Sequence, residues 1–148
     1  MENFLLGYEY IGLFFISFAA ATIVPLGSEA AVAFMAATGF NPPAIFLTAT
    51  IGNSLGALVN YGIGRWGGDF LLSRWIRPEE KKLKRIRAVY GRWGAPASFF
   101  AWTPVIGDPL TVAAGFLHVH PLFFSFWVTL GKGLRYWAVL KGALWLTG

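Results

Sequence analysis

Four ionisable side chains stand where charge is costly. Glu29 and Asp108 each lie within an apolar run, four residues after a proline, in "PLGSE" and "PVIGD". Lys132 and Arg135 lie in another apolar run, and Asn53 and Asn60 in a fourth. A buried carboxylate beside a cation can hold an ion pair, exchange that partner for an incoming charged group, or take up a proton. Desolvation raises its pKa and the cation lowers it. Two acids and two bases in otherwise neutral segments can also simply neutralise one another. The same residues therefore read either as a structural salt-bridge network or as a pathway for a charged group or proton.

The segments around these residues are membrane-like. Only 13% of the 148 residues are charged, 56% are hydrophobic, and the mean hydropathy is +0.57. Uncharged runs of 19, 35, 15 and 23 residues separate Glu9 from Glu29, Glu29 from Arg65, Arg92 from Asp108, and Asp108 from Lys132. Runs of about 20 apolar residues match the thickness of a bilayer core. The fold expected is an all-α integral membrane protein, one membrane domain over residues 1–148. The first residues are acidic, and the apolar stretch outlasts a signal sequence, so no cleaved leader is expected. With no cysteine in the chain, disulfides and thiolate-bound metal are excluded.

Nine of the 12 Lys and Arg residues fall between Arg65 and Arg92, and the first 64 residues contain none. That asymmetry places the basic segment in the cytoplasm. It reads as a solvated loop or, over "EEKKLKRIRAVYGRW", as a helix on anionic headgroups, with Leu83, Ile86 and Tyr90 on one stripe. No nucleic-acid fold signal accompanies it. "GIGRWGG" lacks the spacing and preceding strand of a phosphate loop. His118 and His120 read as interfacial rather than metal-binding. No nucleophile-and-base set is visible, so neither an enzyme nor a cofactor is expected.

Span counting gives the architecture. Residues 10–42 are too long for one crossing and too short for two, and they are broken at Pro25 and Gly27. Residues 93–120 are cut by Pro96, Pro104 and Pro109, with Gly107 beside the carboxylate. Each stretch is expected to enter the membrane, turn near Pro25 or Pro104, and leave on the same face, with protein or a cavity covering the turn. A proline-kinked crossing is the alternative for the second stretch. Residues 43–64 and 122–145 are long enough to span.

Shifted by 79 residues, the chain matches its own punctuation. Gly12 falls on Gly91, Pro25 on Pro104, Glu29 on Asp108, Pro42 on Pro121, Thr50 on Thr129, Gly52 on Gly131 and Leu55 on Leu134. The reading is a re-entrant hairpin plus a transmembrane helix over about residues 8–64, a basic cytoplasmic segment over about 65–92, and a second hairpin and helix over about 93–146. One unit crosses an odd number of times, so the second is inverted and the two carboxylate-bearing tips are expected to face each other.

"GNSLGALVNYGIGRWGG" resembles the G-x-x-x-G-x-x-x-x-Y-x-x-G-R-x-x-G stretch of the DedA family, the SNARE-associated or VTT-domain proteins of bacterial inner membranes. "SFFAWTPVIGDPLTVAAG" with "LGKGLRY" is similar to the short YqaA-like branch. The resemblance covers nearly the whole chain. It implies opposed re-entrant hairpins, movement of lipids or lipid-linked carriers, and coupling to the proton-motive force. By position, Glu29 matches the family glutamate after its first proline, and Gly52, Gly56, Tyr61, Gly64 and Arg65 match the glycine-tyrosine-arginine motif. Many members have an aspartate where this chain has Ala57, and arginines where it has Ala101 and Gly107. Asp108, Lys132 and Arg135 stand as this branch's own charges.

The expected function is a multi-pass inner-membrane transporter or scramblase of lipids or lipid-linked carriers. Membrane lipids are its partners, protons are candidate coupling ions, and self-association is left open. A small-ion or proton-coupled solute transporter and a non-transporting membrane-organising protein remain alternatives. The charge asymmetry yields a topology test. Single cysteines at Ser73 and Thr147 should label from opposite faces of intact cells, cytoplasmic and periplasmic respectively. Labelling of both from one face would remove the two-span reading.

Overall fold

The computed structural model of the chain describes residues 2–22, 27–74, 80–103 and 106–148. All regular structure among them is helical: α1 Glu2–Thr22, α2 Gly27–Ala37, α3 Pro42–Arg74, α4 Glu80–Trp93, a 3-10 helix Ala95–Trp102, α5 Gly107–Phe116 and α6 Pro121–Thr147. The expected hairpin turns at Pro25 and Pro104 lie outside the described residues. Gly27 and Gly107 open α2 and α5, so each carboxylate stands in the first turn of a short helix. There the amide dipoles favour negative charge.

Element boundaries follow the 79-residue register. Both long helices begin on its prolines, Pro42 and Pro121, and α2 and α5 end on Ala37 and Phe116, again 79 apart. With only 11 and 10 residues, α2 and α5 reach about 16 Å at 1.5 Å per residue, well short of a bilayer. Helix α1 differs from expectation. It starts at Glu2 rather than near Tyr10 and runs 21 residues, because one glutamate on a helix does not interrupt it. Its counterpart in the second half is divided between α4 and the 3-10 helix, where Gly94 takes a positive φ of 64° and Pro96 removes a backbone donor.

The chain divides into two compact units that cut across the sequence repeats. One comprises Met1–Gly56 and Lys132–Gly148; the other comprises Ala57–Gly131. In the first, Leu13, Val32, Met35, Ala36, Ile45, Ala49, Tyr136 and Leu140 form the core. In the second, Tyr61, Ile86, Tyr90, Leu110, Ala113, Phe124 and Val128 do so among small residues. The outer faces of the long helices carry the larger aliphatic side chains. Leu47, Ile51, Leu55, Val59 and Ile63 form an exposed stripe at every fourth position of α3. Phe123, Phe126, Leu130, Leu134 and Trp137 are exposed along α6. Exposed apolar surface on this scale is what a bilayer covers. Among the described residues, Pro42–Gly67 is the stretch both long and apolar enough to cross a membrane. Helix α6 has the length, 27 residues, but carries Lys132, Arg135 and Lys141.

The buried faces are lined with small residues so that backbones can approach. A Cβ on Gly52 would stand 2.6 Å from the Phe14 carbonyl oxygen, and one on Gly56 would run into Phe18 and Ala21. The two glycines of "GNSLG", four residues apart, thus serve close helix packing. In the second unit a Cβ on Gly64 would collide with the Val112 carbonyl, and one on Gly115 with that of Tyr61. Nearby, the Tyr90 phenol donates to the Leu110 carbonyl (3.0 Å) and lies 3.1 Å from the Ser98 hydroxyl. Burial pushes that phenol up to about 12, so it remains a donor at any ordinary pH.

These contacts give a paired expectation. Gly64→Ala or Gly115→Ala should destabilise the protein by about 1–3 kcal/mol or more, because backbone has to move. Gly12→Ala, where a new Cβ meets nothing within 4 Å, should be neutral or slightly stabilising. Thermal unfolding in detergent reads the difference, and equal melting of all three variants would refute the close-approach account.

Candidate functional site

Helix α6 carries the charges that the other helices of the first unit must satisfy. Lys132 is only 4% exposed. Its ammonium donates to the Asn53 side-chain oxygen on α3. The Asn53 amide donates in turn to the Tyr136 hydroxyl (2.8 Å), and Tyr136 donates to Ser28 Oγ on α2 (2.8 Å). Three helices are thus joined by one buried polar chain: Lys132, Asn53, Tyr136, Ser28. Lys132 and Tyr136 are four residues apart, so both project from one face of α6.

The next residue after Ser28 is Glu29, and it forms an ion pair with Arg135. Both side chains keep 22% of their surface exposed. The pair therefore sits at the edge of the buried chain, accessible from outside it, while Lys132 lies within. Beside Asn53 on α3, the hydroxyls of Thr50 and Ser54 are buried with no hydrogen-bond partner among the described residues.

Of the residues singled out by sequence, this arrangement brings together Glu29, Arg135, Lys132 and Asn53. Asn60 goes elsewhere. In the second unit its amide donates to Thr111 Oγ1 (3.3 Å), and Thr111 donates to the Asp108 backbone carbonyl (2.7 Å). Asp108 is partly buried in the first turn of α5. It belongs to the second unit and Glu29 to the first. The remaining motif residues act as a clasp within the second unit. Tyr61 donates to the Val119 carbonyl, Arg65 donates to the Tyr61 hydroxyl (3.0 Å), and Gly64 admits the backbone of α5. Sequence reading missed Tyr136 and Ser28. The available signal was position: Tyr136 is four after Lys132, and Ser28 adjoins Glu29.

Chemically, the site offers a paired carboxylate and guanidinium beside a buried ammonium that donates to Asn53. A guanidinium binds carboxylate and phosphate oxygens with the same two-pronged geometry.

Comparison with known proteins shows the family. The VTT domain matches residues 24–140. The inner membrane protein YqaA of Escherichia coli K12 is 38% identical over 138 residues, covering 90% of this chain and 92% of that protein. An uncharacterized protein of Haemophilus influenzae is 36% identical over 138 residues, covering 86% of this chain and 83% of its own. No solved structure matches the chain. The matched span contains both short carboxylate-bearing helices, the Tyr61–Arg65 clasp and the Lys132–Tyr136 segment, so this chain is a membrane protein belonging to the VTT-domain (DedA) family.

Proposed function

We propose that the protein is a multi-pass transporter or scramblase of the bacterial inner membrane that moves lipids or lipid-linked carriers. In this reading each half contributes a re-entrant hairpin and a transmembrane helix, with inverted topology. The shared register of α2 with α5 and of α3 with α6 supports the duplication, and the likeness to the inner membrane protein YqaA of Escherichia coli supports the location. The observation that carries the functional reading is the Glu29–Arg135 pair at the edge of the buried Ser28–Tyr136–Asn53–Lys132 chain. A purely structural ion pair needs no such continuation into the interior.

The pair supplies a cycle for an anionic headgroup. Its phosphate replaces the Glu29 carboxylate on Arg135, and Glu29, having lost its cation, takes up a proton more readily. Release of the headgroup restores the pair and returns the proton. Coupling to a proton gradient follows if headgroup and proton travel together. Asp108, at the equivalent position of the second half, is assigned to the same pathway.

Glu29→Gln tests this reading in reconstituted vesicles with labelled lipids. The amide keeps the side chain's size and removes its charge and titration. Lipid translocation should fall at least about tenfold, the loss of roughly 1.4 kcal/mol of differential binding, while the protein still inserts and accumulates. A structural network behaves otherwise. Breaking a fully buried pair costs about 3–5 kcal/mol, and less for a pair still partly exposed, so Glu29→Gln would be unstable. The companion Arg135→Gln change would then restore both accumulation and activity. Translocation at the unmodified rate in well-expressed Glu29→Gln, or full recovery in the charge-free double variant, removes Glu29 from the mechanism. Proton-driven solute flux without lipid movement would instead favour the solute transporter.

A further inference from the structure

Helix α4 is strongly basic, and its apolar stripe is already used. Ile86 and Tyr90 are buried in the core of the second unit, with Val89 packed against it. The Tyr90 hydroxyl is tied to Ser98 and Leu110. Arg87 is drawn aside, its guanidinium 5.7 Å from the centre of the Phe116 ring. An amphipathic helix that binds a membrane by inserting its apolar face requires that face to be free. Here it faces protein.

The opposite face remains exposed. Lys81, Lys84, Arg85, Ala88 and Arg92 recur at helical spacing of three and four, and all five are exposed. This stripe carries four cations and no acid. Just beyond it, Trp93, Phe100 and Trp102 are exposed, and the Arg92 guanidinium lies 6.0 Å from the Trp93 ring. Basic side chains that give way to exposed indoles and a phenyl ring form the sequence of surfaces found at a headgroup boundary.

We infer that α4 is a protein-anchored electrostatic platform whose outer face, Lys81, Lys84, Arg85 and Arg92, docks on anionic phospholipid headgroups. The helix does not insert. Its packing within the second unit holds the four cations on one helix face, so the backbone that carries them meets the lipid surface without paying the ordering entropy of a flexible basic tail. Attraction of about 1 kcal/mol per surface cation is available at such a membrane, and it falls off within a Debye length. The platform is separate from the Glu29–Arg135 site and stands whether or not that site moves lipid.

The chain has no cysteine, so Ala88→Cys places a single spin label at the centre of the stripe. The full chain is assembled in nanodiscs of phosphatidylcholine alone or of equal parts phosphatidylcholine and phosphatidylglycerol. Collisions with a water-soluble relaxation agent should be suppressed only in the anionic discs, and high salt should restore them. Adding Lys81→Gln, Lys84→Gln and Arg85→Gln should lower the docked-to-free ratio by up to roughly a hundredfold at low salt, from three cations at about 1 kcal/mol each. Should the triple variant fold poorly, the salt titration of the labelled chain decides alone. A label equally accessible in both lipids overturns the inference and leaves the face to solvent or an acidic protein. A label equally shielded in both, and insensitive to salt, overturns it in favour of apolar burial.

Discussion

Lys132 is buried to 4% exposure on a helix whose outer side presents Phe126, Leu130, Leu134 and Trp137. An ammonium in such surroundings costs several kcal/mol unless polar atoms surround it. Asn53 is one group that meets this need, and its bond to Lys132 ties α3 to α6 within the first unit. Asn53 then presents its amide to Tyr136, and Tyr136 reaches Ser28 at the start of α2. The short helix that carries Glu29 is thereby held by a hydrogen-bond chain originating at the lysine. Its placement follows from the need to satisfy a buried charge, and the ion pair with Arg135 completes the same set.

The packing around that chain differs from a water-soluble core. In hydrocarbon, large aliphatic side chains gain nothing by facing inward, so close contact and interhelical hydrogen bonds hold the helices together. Helix α3 shows the division along its length. Leu47, Ile51, Leu55, Val59 and Ile63 point out, while Gly52, Asn53, Gly56, Ala57, Asn60 and Gly64 are buried. Both units use this pattern. In the first, Gly52 and Gly56 admit α1; in the second, Gly64 and Gly115 bring α3 and α5 to backbone contact. The glycine-tyrosine-arginine motif is thus an assembly device, with Tyr61 and Arg65 tying down the segment that follows α5.

Much of this was legible before any coordinates. Charge-free runs located the long helices, and prolines marked the starts of α3 and α6 because a helix tolerates proline in its first turn. The cost of intramembrane charge singled out Glu29, Lys132 and Arg135. Tyr136 escaped because a tyrosine in an apolar helix reads by default as a member of the aromatic belt, and only the facing Asn53 and Ser28 reveal otherwise. Asn60 was grouped with Asn53 on composition. Seven residues along a helix advance the chain by about 10 Å, enough to give it a different neighbour, Thr111. Helix α1 continues through Glu9 to Glu2, beyond the apolar stretch that begins at Tyr10, because a single carboxylate does not interrupt a helix.

The hydrogen bond from Lys132 to Asn53 joins positions separated by 79 residues, the repeat offset itself. Residues in the same register of the two halves meet there, and they are not alike: one is neutral and the other charged. The asymmetry continues around them. Arg135 and Tyr136 correspond to Gly56 and Ala57, and Ser28 corresponds to Gly107. Each of the three groups that build the cluster beside Glu29 is therefore replaced by hydrogen or methyl at the equivalent position of the other half. The 79-residue register places the two carboxylates in matching helix turns, but the side chains bonded around Glu29 have no register counterparts in the sequence around Asp108. The two carboxylates consequently differ in environment, and a mechanism that treats them as interchangeable is inconsistent with the sequence around them.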